Sequence, residues 1–405
     1  MKIRSITYFC NPGWPLDEKK MRAAGTFAAE AQAAFEQAGY EVQTTRLATV
    51  PFPDLLKDLD KVPELARTLS LLLPETGIAY AALGPALPER PESYRVIPDA
   101  IAISKNIFFS GIMADPKRGL SLAAVRACAD VIVRTAPLDA NGFANLNFAA
   151  LANVPPGAPF FPAAYHEGDE PEFAIAMEAA DLAVSAFANT KTIEEGRQAL
   201  VDLLEEHART LTKVADFLKY RHMIRFGGID FSLAPFPEES KSLGAAFERM
   251  GVPAVGLHGS LSAAGILTEA IESAHFLRAG FCGMMMPVLE DAVLARRAAE
   301  GTLTVKDLLL YSAVCGTGLD TVPLPGDVTR EQLTALLVDI STMALRLDKP
   351  LTARLMPVPG KVAGDVTNFD FGFFANSRVM RLDAAPLKRA LGGTETFPLQ
   401  ARKTD

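Results

Sequence analysis

Cys315 is the residue of this chain whose type and setting best suit nucleophilic chemistry. It lies in the stretch Ser312–Asp327, which reads SAVCGTGLDTVPLPGD, and it is followed directly by Gly316, Thr317 and Gly318. Glycine adopts positive φ at little cost, so such a loop can lift a thiol to an exposed tip. We therefore predict that Cys315 is a nucleophile or a wall residue of a site. The alternative is a buried structural cysteine, because free cysteine is among the most buried residue types.

Two aspartates are candidates for acid–base chemistry beside this thiol. Asp230 interrupts the apolar run GGIDFSLAP, and Asp320 follows Cys315 in the glycine-rich stretch. An ionised carboxylate buried without partners is costly, so Asp230 requires either a partner or a functional role. A structural ion pair with an arginine is the alternative. We predict that Asp230 and Asp320 are the catalytic carboxylates.

Arg354 and Lys361 are candidates for holding an anionic substrate. Arg354 lies inside the strand-like run ARLMPV, and Lys361 lies in the proline- and glycine-rich turn that follows. An arginine within a strand needs a carboxylate partner, and Asp230, Asp320 or a substrate acid could supply it. We predict that the two cations clamp a carboxylate of the substrate.

Three uncharged side chains are further candidates for substrate binding. Ser260 precedes a helical pattern, and the free N–H groups of a helix N-terminus suit an anion. Asn147 and His166 bracket the proline-rich run NVPPGAPFFPAAY, where an amide and an imidazole could contact substrate. The alternatives are an ordinary capped helix, a turn-forming asparagine and a solvated loop histidine.

A divalent cation such as Mg²⁺ is a cofactor that the acidic residues could hold. Its ligands would be Asp230, Glu290 and Asp320, because hard oxygen ligands suit this ion, although their spacing matches no established metal motif. The 4 cysteines are spread along the chain without a CxxC pair. This spacing predicts reduced thiols rather than a zinc knuckle or a disulfide framework.

The composition limits the classes of partner. The chain has 405 residues, 49% of them hydrophobic and 22% charged, with a net charge of -8, as in an ordinary globular protein. It lacks the clustered lysines and arginines that nucleic acids or anionic membranes require, so we expect neither as a partner. The apolar run at its start is too short for a signal peptide or a membrane span. We expect a cytoplasmic homo-oligomer that binds a small molecule.

The order of elements predicts an α/β fold. Strand patterns and amphipathic helical patterns alternate from Ile3 onward, and apolar runs such as 78–83 and 107–113 fit strands covered on both faces. We predict a half-barrel with a helical connection over residues 1–222, a second half-barrel carrying the cysteine loop over 223–382, and a tail over 383–405. The run Phe281–Pro287 is predicted as a buried strand.

Several blocks of the chain carry a family resemblance. They read NFAALANVPPGAPFFPAAYH, GGIDFSLAPFP, GSLSAAGILTEAI, VCGTGLDTVPLPGD and RLMPVPGKVAGD. Together they resemble an uncharacterised bacterial and archaeal family known only as a domain of unknown function, over nearly the whole chain. The resemblance implies a pyruvate formate-lyase-like barrel of ten strands, in which two antiparallel five-stranded halves close around a finger loop.

The resemblance places Cys315 where a finger-loop thiol would stand in a glycyl-radical enzyme. Those enzymes store the radical on a glycine in a C-terminal loop. The nearest counterpart here is SRVMRL at 377–382, in which Arg381 occupies the position of that glycine. We therefore predict a non-radical enzyme, a lyase or a hydrolase, that acts on a small polar, carboxylate-bearing metabolite in the barrel centre. The alternative is a catalytically silent ligand-binding or regulatory protein on the same barrel.

Overall fold

A computed structural model describes residues 1–402 of the chain. Residues 403–405 of the predicted tail lie outside the described part. The strands are β1 Lys2–Cys10, β2 Thr45–Pro51, β3 Tyr80–Ala86, β4 Ile107–Asp115, β5 Gly119–Ser121, β6 Phe148–Ala152, β7 Glu172–Glu178, β8 Arg225–Asp230, β9 Gly318–Pro325, β10 Leu351–Val358 and β11 Thr396–Phe397.

The helices alternate with these strands through most of the chain, as the sequence predicts. They are α1 Glu18–Gln37, α2 Phe52–Leu55, α3 Val62–Thr76, α4 Glu92–Arg95, α5 Ile97–Ala102, α6 Leu122–Thr135, α7 Ala180–Ala186, α8 Ile193–His222, α9 Leu243–Arg249, α10 Ser260–Ser273, α11 Ala292–Glu300, α12 Val305–Cys315 and α13 Arg330–Leu347. None of the helices in residues 1–402 combines the length and apolar character needed to cross a bilayer.

One mixed sheet organises the molecule, in the order β8-β7-β1-β2-β3-β4-β6-β10-β9. β1, β2, β3, β4 and β6 are parallel to one another. β7 is antiparallel to β1 and β10 is antiparallel to β6, while β8 and β9 are parallel to β7 and β10. Of these nine strands, five therefore run one way and four run the other, which confirms a mixed α/β fold. The proposed domain boundaries stay a prediction.

The sheet is open between β8 and β9, so the predicted closed barrel is not established. The prediction of a strand over Phe281–Pro287 is wrong, because this segment forms no regular strand. Its region forms single bridges to the two edges, Ile229 with Arg278 and Pro287 with Asp320. The N–H groups of Phe281 and Cys282 are bonded to the Asp230 carboxylate, and Cys282 has a φ of 43°. Those two groups cannot also pair with a neighbouring strand, which prevents a continuous ladder.

Residues 153–171, which we call the inner loop, lie on one face of the sheet. Phe161 and Ala164 of the loop pack against Phe9, Ala48 and Ala82 of β1, β2 and β3. The Thr7 hydroxyl donates a 3.0 Å hydrogen bond to the carbonyl of Pro159. Ala48 and Ala82 are small, which leaves room for the loop on this face of the sheet. The opposite face packs against the helices in the main hydrophobic core.

Candidate functional site

A cavity of about 370 Å³ lies beside the inner loop. Its charged lining consists of Arg4, Arg46, Glu290, Asp320 and Arg354, and we call it the arginine cavity. Arg4, Arg46 and Arg354 project from β1, β2 and β10, and Asp320 projects from β9. Because each of these residues stands on a strand of one sheet, the sheet register sets the spacing of the charges.

Ion pairs connect most of these charges into a chain. Arg354 donates to Asp320 through Nε at 2.5 Å and through Nη2 at 3.0 Å, and Nη2 also lies 2.7 Å from Oε1 of Glu290. The other oxygen of Glu290 accepts from Arg4, which lies 3.3 Å from Glu178 on its far side. Asp320 is thus one of the partners that the sequence allows for Arg354. Bidentate pairing of this kind orients both groups.

The two carboxylates on Arg354 have opposite pKa shifts. Burial acts to raise the pKa of Glu290, but Arg4 and Arg354 outweigh it and hold the pKa below its ordinary value. Burial raises the pKa of Asp320, and the Glu290 charge adds to this rise against the opposing effect of Arg354. Neighbouring carboxylates separated in this way suit acid–base exchange, with Asp320 the easier to protonate.

Arg46 is the functional candidate that the sequence interpretation missed. Its Nε donates to the Thr44 hydroxyl at 2.8 Å, and its guanidinium carbon lies 5.0 Å from the ring centre of Phe161. Within residues 1–402 it forms no ion pair with a carboxylate. Burial, followed by repulsion from Arg4 and Arg354, lowers the pKa of Arg46 to about 9. An arginine within the strand run TRLATVP was the available signal, of the same kind that identified Arg354.

Cys315 is not at an exposed tip, and that prediction is wrong. The thiol belongs to the last residue of α12, is 3% exposed, and does not border the arginine cavity. The helix continues through Cys315 and ends at Gly316, whose φ is 76°. Glycine therefore serves here as a helix C-cap rather than as the pivot of a raised loop. Burial raises the pKa of Cys315, which disfavours a reactive thiolate.

Asp230 lies apart from the other predicted carboxylates. It is fully buried and accepts hydrogen bonds from the backbone N–H groups of Ser232, Phe281 and Cys282 at 3.0, 2.7 and 2.9 Å. The Ser232 hydroxyl donates a fourth bond at 2.7 Å. Asp230 does not line the arginine cavity and has no arginine partner in residues 1–402. Three backbone N–H groups and one hydroxyl thus satisfy this carboxylate in place of the arginine that the sequence allowed, and its catalytic role stays a prediction.

The predicted metal ligands are not brought together. Glu290 and Asp320 meet at Arg354, whereas the carboxylate of Asp230 is saturated by the groups around it. In the part of the chain that the structure describes, no group of three or more His, Cys, Asp or Glu side chains is arranged to hold a metal ion. The guanidinium of Arg354 occupies the position between two carboxylates that a cation would need.

The remaining predicted substrate ligands do not line the arginine cavity. Ser260 is the first residue of α10, whose N-cap is Gly259, and its hydroxyl donates to the Leu257 carbonyl at 2.8 Å. Asn147 donates to the Ile107 carbonyl at 2.8 Å, and Lys361 lies beyond the end of β10. His166 borders a second cavity across the inner loop.

The chain is similar to proteins of archaea and bacteria. A family model described as "Uncharacterised ACR (DUF711)" matches residues 1–376. A UPF0210 protein of Pyrobaculum aerophilum is 32% identical over 88% of this chain and 82% of the relative. UPF0210 proteins of Pyrobaculum arsenaticum and Desulforudis audaxviator are 31% and 29% identical, each over 90% of this chain and over 82% and 84% of the relative. The chain therefore belongs to the family described as Uncharacterised ACR (DUF711), in agreement with the resemblance seen in its sequence blocks.

Proposed function

We propose that this protein binds a small organic monoanion in the arginine cavity and holds the carboxylate of that ligand on Arg46. The observation that carries the proposal is the guanidinium of Arg46, which borders the cavity without a carboxylate partner in residues 1–402. A buried cation without a partner is unfavourable, whereas a bound carboxylate would supply two charge-assisted hydrogen bonds.

The charge of the cavity supports a ligand with one negative charge. Its lining contains three arginines and two carboxylates, and Glu290 and Asp320 already neutralise Arg354 and much of Arg4. The lining residues alone have one positive charge in excess, and because Glu178 outside the lining also pairs with Arg4, Arg46 is the lining cation without an ion pair in residues 1–402. A monoanion would balance it without displacing an internal ion pair.

The walls of the cavity support an organic ligand with a flat or apolar part. The aromatic lining residues are Tyr80, Phe108, Phe160, Phe161, Phe281, Phe371, Phe373 and Phe374. Metabolite sites commonly combine apolar walls with a few convergent polar groups and have volumes from about 300 Å³ upward. The cavity of about 370 Å³ falls at the small end of this range.

The opposite pKa shifts of Asp320 and Glu290 favour an enzyme over a silent binding protein. Asp320 is the carboxylate with the raised pKa, its side chain is 20% exposed, and it borders the cavity. It would exchange a proton with the bound anion while Arg354 keeps it oriented. This assignment retains the non-radical lyase or hydrolase expected from the sequence, with Asp320 as its acid–base residue. Arg381, at the position of the missing radical glycine, is ion-paired with Asp383.

A barrel closed by residues 278–288 is part of the same proposal. In this segment Arg278 forms a parallel bridge with Ile229 of β8, and Pro287 forms a parallel bridge with Asp320 of β9. It also accepts a 2.9 Å bond from the N–H of Leu233 at the carbonyl of Gly283. If it is counted as an irregular strand, it runs in the same direction as β7, β8, β9 and β10, opposite to the five parallel strands β1, β2, β3, β4 and β6. Two groups of five around the inner loop would then match the pyruvate formate-lyase-like arrangement.

Calorimetry with benzoate, a flat monoanion, and benzamide, its neutral counterpart, tests the binding site. We expect benzoate to bind and benzamide to bind at least tenfold more weakly. Arg46→Gln should weaken benzoate binding at least tenfold, because it removes the charged fork. Arg22→Gln is the control, since that side chain is 81% exposed. Equal binding of both compounds, or an Arg46→Gln protein that binds benzoate like the wild type, would contradict the proposal.

Proton exchange separates the enzyme from the binding protein. Phenylacetate carries exchangeable hydrogens next to its carboxylate, and their replacement in D2O can be followed by NMR. We expect the wild type to accelerate this exchange and Asp320→Asn to abolish the acceleration while phenylacetate still binds. Binding without accelerated exchange in the wild type would favour the ligand-binding alternative.

A further inference from the structure

A second and larger cavity of about 780 Å³ lies on the other side of the inner loop. Asn11, Asp115 and Asn153 stand at or just beyond the carboxyl ends of β1, β4 and β6 and border it. Open α/β sheets characteristically bind ligands in the crevice at the carboxyl ends of their parallel strands. The position of the cavity is therefore typical of a ligand site, and nothing in the proposed function uses it.

Negative charge dominates this second cavity, which we call the acidic cavity. Its lining carboxylates are Asp54, Glu89, Asp115, Glu167, Asp169 and Asp348. The cations of the lining are Lys117 and Arg118, and Arg118 is already paired with Glu89 and Asp115. Burial, together with the Glu89 charge, raises the pKa of Asp54. The lining thus has an excess of four negative charges, opposite in sign to the arginine cavity.

The buried imidazole of His166 borders the acidic cavity, and in residues 1–402 its two ring nitrogens form no hydrogen bonds. His166 is 1% exposed, and neither ring nitrogen has a hydrogen-bond partner in residues 1–402. Its backbone N–H is bonded to the Thr49 carbonyl at 2.9 Å, and its Nδ1 lies 3.7 Å from Oε1 of Glu172. Buried polar groups are nearly always paired, so an unpaired imidazole at a cavity indicates a missing partner. Histidine is also a side chain that can accept a proton or a hydrogen bond from a bound amine.

From this arrangement we propose that the acidic cavity binds a small organic cation carrying a primary ammonium group, with His166 as its buried hydrogen-bond acceptor. The surrounding carboxylates balance the charge of the ligand. Nδ1 lies 3.7 Å from Glu172, so Nε2 is the ring nitrogen assigned to the ammonium. Glu172 is ion-paired with Arg225 and does not line the cavity, so His166 is the residue that contacts the ligand. The proposal does not depend on anion binding in the arginine cavity.

Binding of 1,4-diaminobutane tests this site, with 1,4-butanediol as the uncharged probe of the same length. We expect calorimetry on the full-length protein to detect the diamine, with affinity that falls as salt is added, and not the diol. His166→Asn should weaken diamine binding at least tenfold. The double change Asp54→Asn with Glu167→Gln should weaken it at least threefold. Glu64→Gln is the control, because this exposed carboxylate does not line the cavity.

Histidine NMR keeps the test decisive if His166→Asn does not fold. The chain has 5 histidines, and the diamine should shift the ring nitrogen signals of one buried imidazole in the ¹⁵N-labelled wild type. The shift should weaken in the double carboxylate variant and persist in Glu64→Gln. The proposal is overturned if the diol binds as well as the diamine, if the folded His166→Asn protein binds normally, or if no imidazole signal responds. Equal stabilisation by MgCl2, with no competition from the diamine, would also overturn it in favour of a metal site.

Discussion

The arginine cavity and the acidic cavity lie on opposite sides of the same loop, yet their charges are held in different ways. Most charges of the arginine cavity stand on strands and are paired inside the protein, as Glu290 is with Arg4 and Arg354. Those of the acidic cavity stand mainly at strand ends and in loops, where solvent reaches them. Charges on a buried sheet are costly unless they are paired, and Arg46 is the exception in that cavity, whereas charges at the rim of the sheet are solvated and remain available for a ligand.

Removing one charge from each cavity should lower the free energy of unfolding by very different amounts, and this is the largest effect that we expect. Glu290→Gln leaves Arg4 and Arg354 short of a buried counter-charge, so we expect the free energy of unfolding to fall by about 3 kcal/mol or more. Glu89→Gln in the acidic cavity should lower it by less than about 1 kcal/mol, because that side chain is 50% exposed. Urea unfolding of both variants checks the difference. Equal losses would mean that the two cavities do not differ in how their charges support the fold.

Asp230 lies between the two cavities, and the pH dependence of stability tests the effect of its burial on the free energy of unfolding. This carboxylate binds the N–H of Phe281, which borders the arginine cavity, and contacts Gly280, which borders the acidic one. Burial raises the pKa of Asp230 to about 6. The folded state then holds the proton more tightly than the unfolded state, in which the pKa is about 3.9. Its contribution to stability is fully present below pH about 4 and is lost by up to about 3 kcal/mol as the pH rises through about 6.

The non-titrating variant Asp230→Asn is the control for this dependence. The difference in unfolding free energy between wild type and Asp230→Asn should change in favour of the variant as the pH rises from about 4 to about 7. Urea unfolding at a series of pH values measures that difference. A difference that instead moves in favour of the wild type over this range would show that the four hydrogen bonds to the carboxylate outweigh its burial.

The smallest of these effects concerns the inner loop that separates the cavities. Ala164 is fully buried against Phe9, Ala48 and Ala82. Ala164→Leu should overfill this contact and lower the free energy of unfolding by about 1–3 kcal/mol. Ala123→Leu on the exposed side of α6 is the control and should change it by no more than about 0.5 kcal/mol. A stable Ala164→Leu protein with unaltered binding in both cavities would show that the loop is loosely packed.

Local patterns predicted the elements better than they predicted the site. Alternating strand and helix patterns from β1 to β4 identified the α/β fold, because burial of a sheet between other elements leaves a periodic signal in each segment. The strand predicted at Phe281–Pro287 failed because the interrupting carboxylate, Asp230, comes from a segment distant in sequence. No local pattern contains that contact.

Predictions about single residues were also partly right and partly wrong. The sequence identified Arg354 as a strand arginine in need of a carboxylate and included Asp320 among its partners, and the structure pairs the two. It assigned an exposed position to Cys315 because glycines follow it, although those glycines end a helix. Whether a glycine after a thiol ends a helix or raises a loop depends on how far the preceding helix extends, and packing of that helix decides its length.

The sequence by itself therefore determined the mixed α/β class and the need of each buried charge for a partner, since these follow from residue type and local periodicity, and its specific sequence blocks indicated the family. Only the tertiary structure decided which charges meet. Within residues 1–402 it placed Glu290 between two arginines, left Arg46 without an ion pair and the His166 ring without a hydrogen bond, and surrounded Asp230 with three backbone N–H groups and a hydroxyl. The physical reason is that strand order and register bring together segments far apart in the chain, and pairing between such segments leaves no signal in either segment alone.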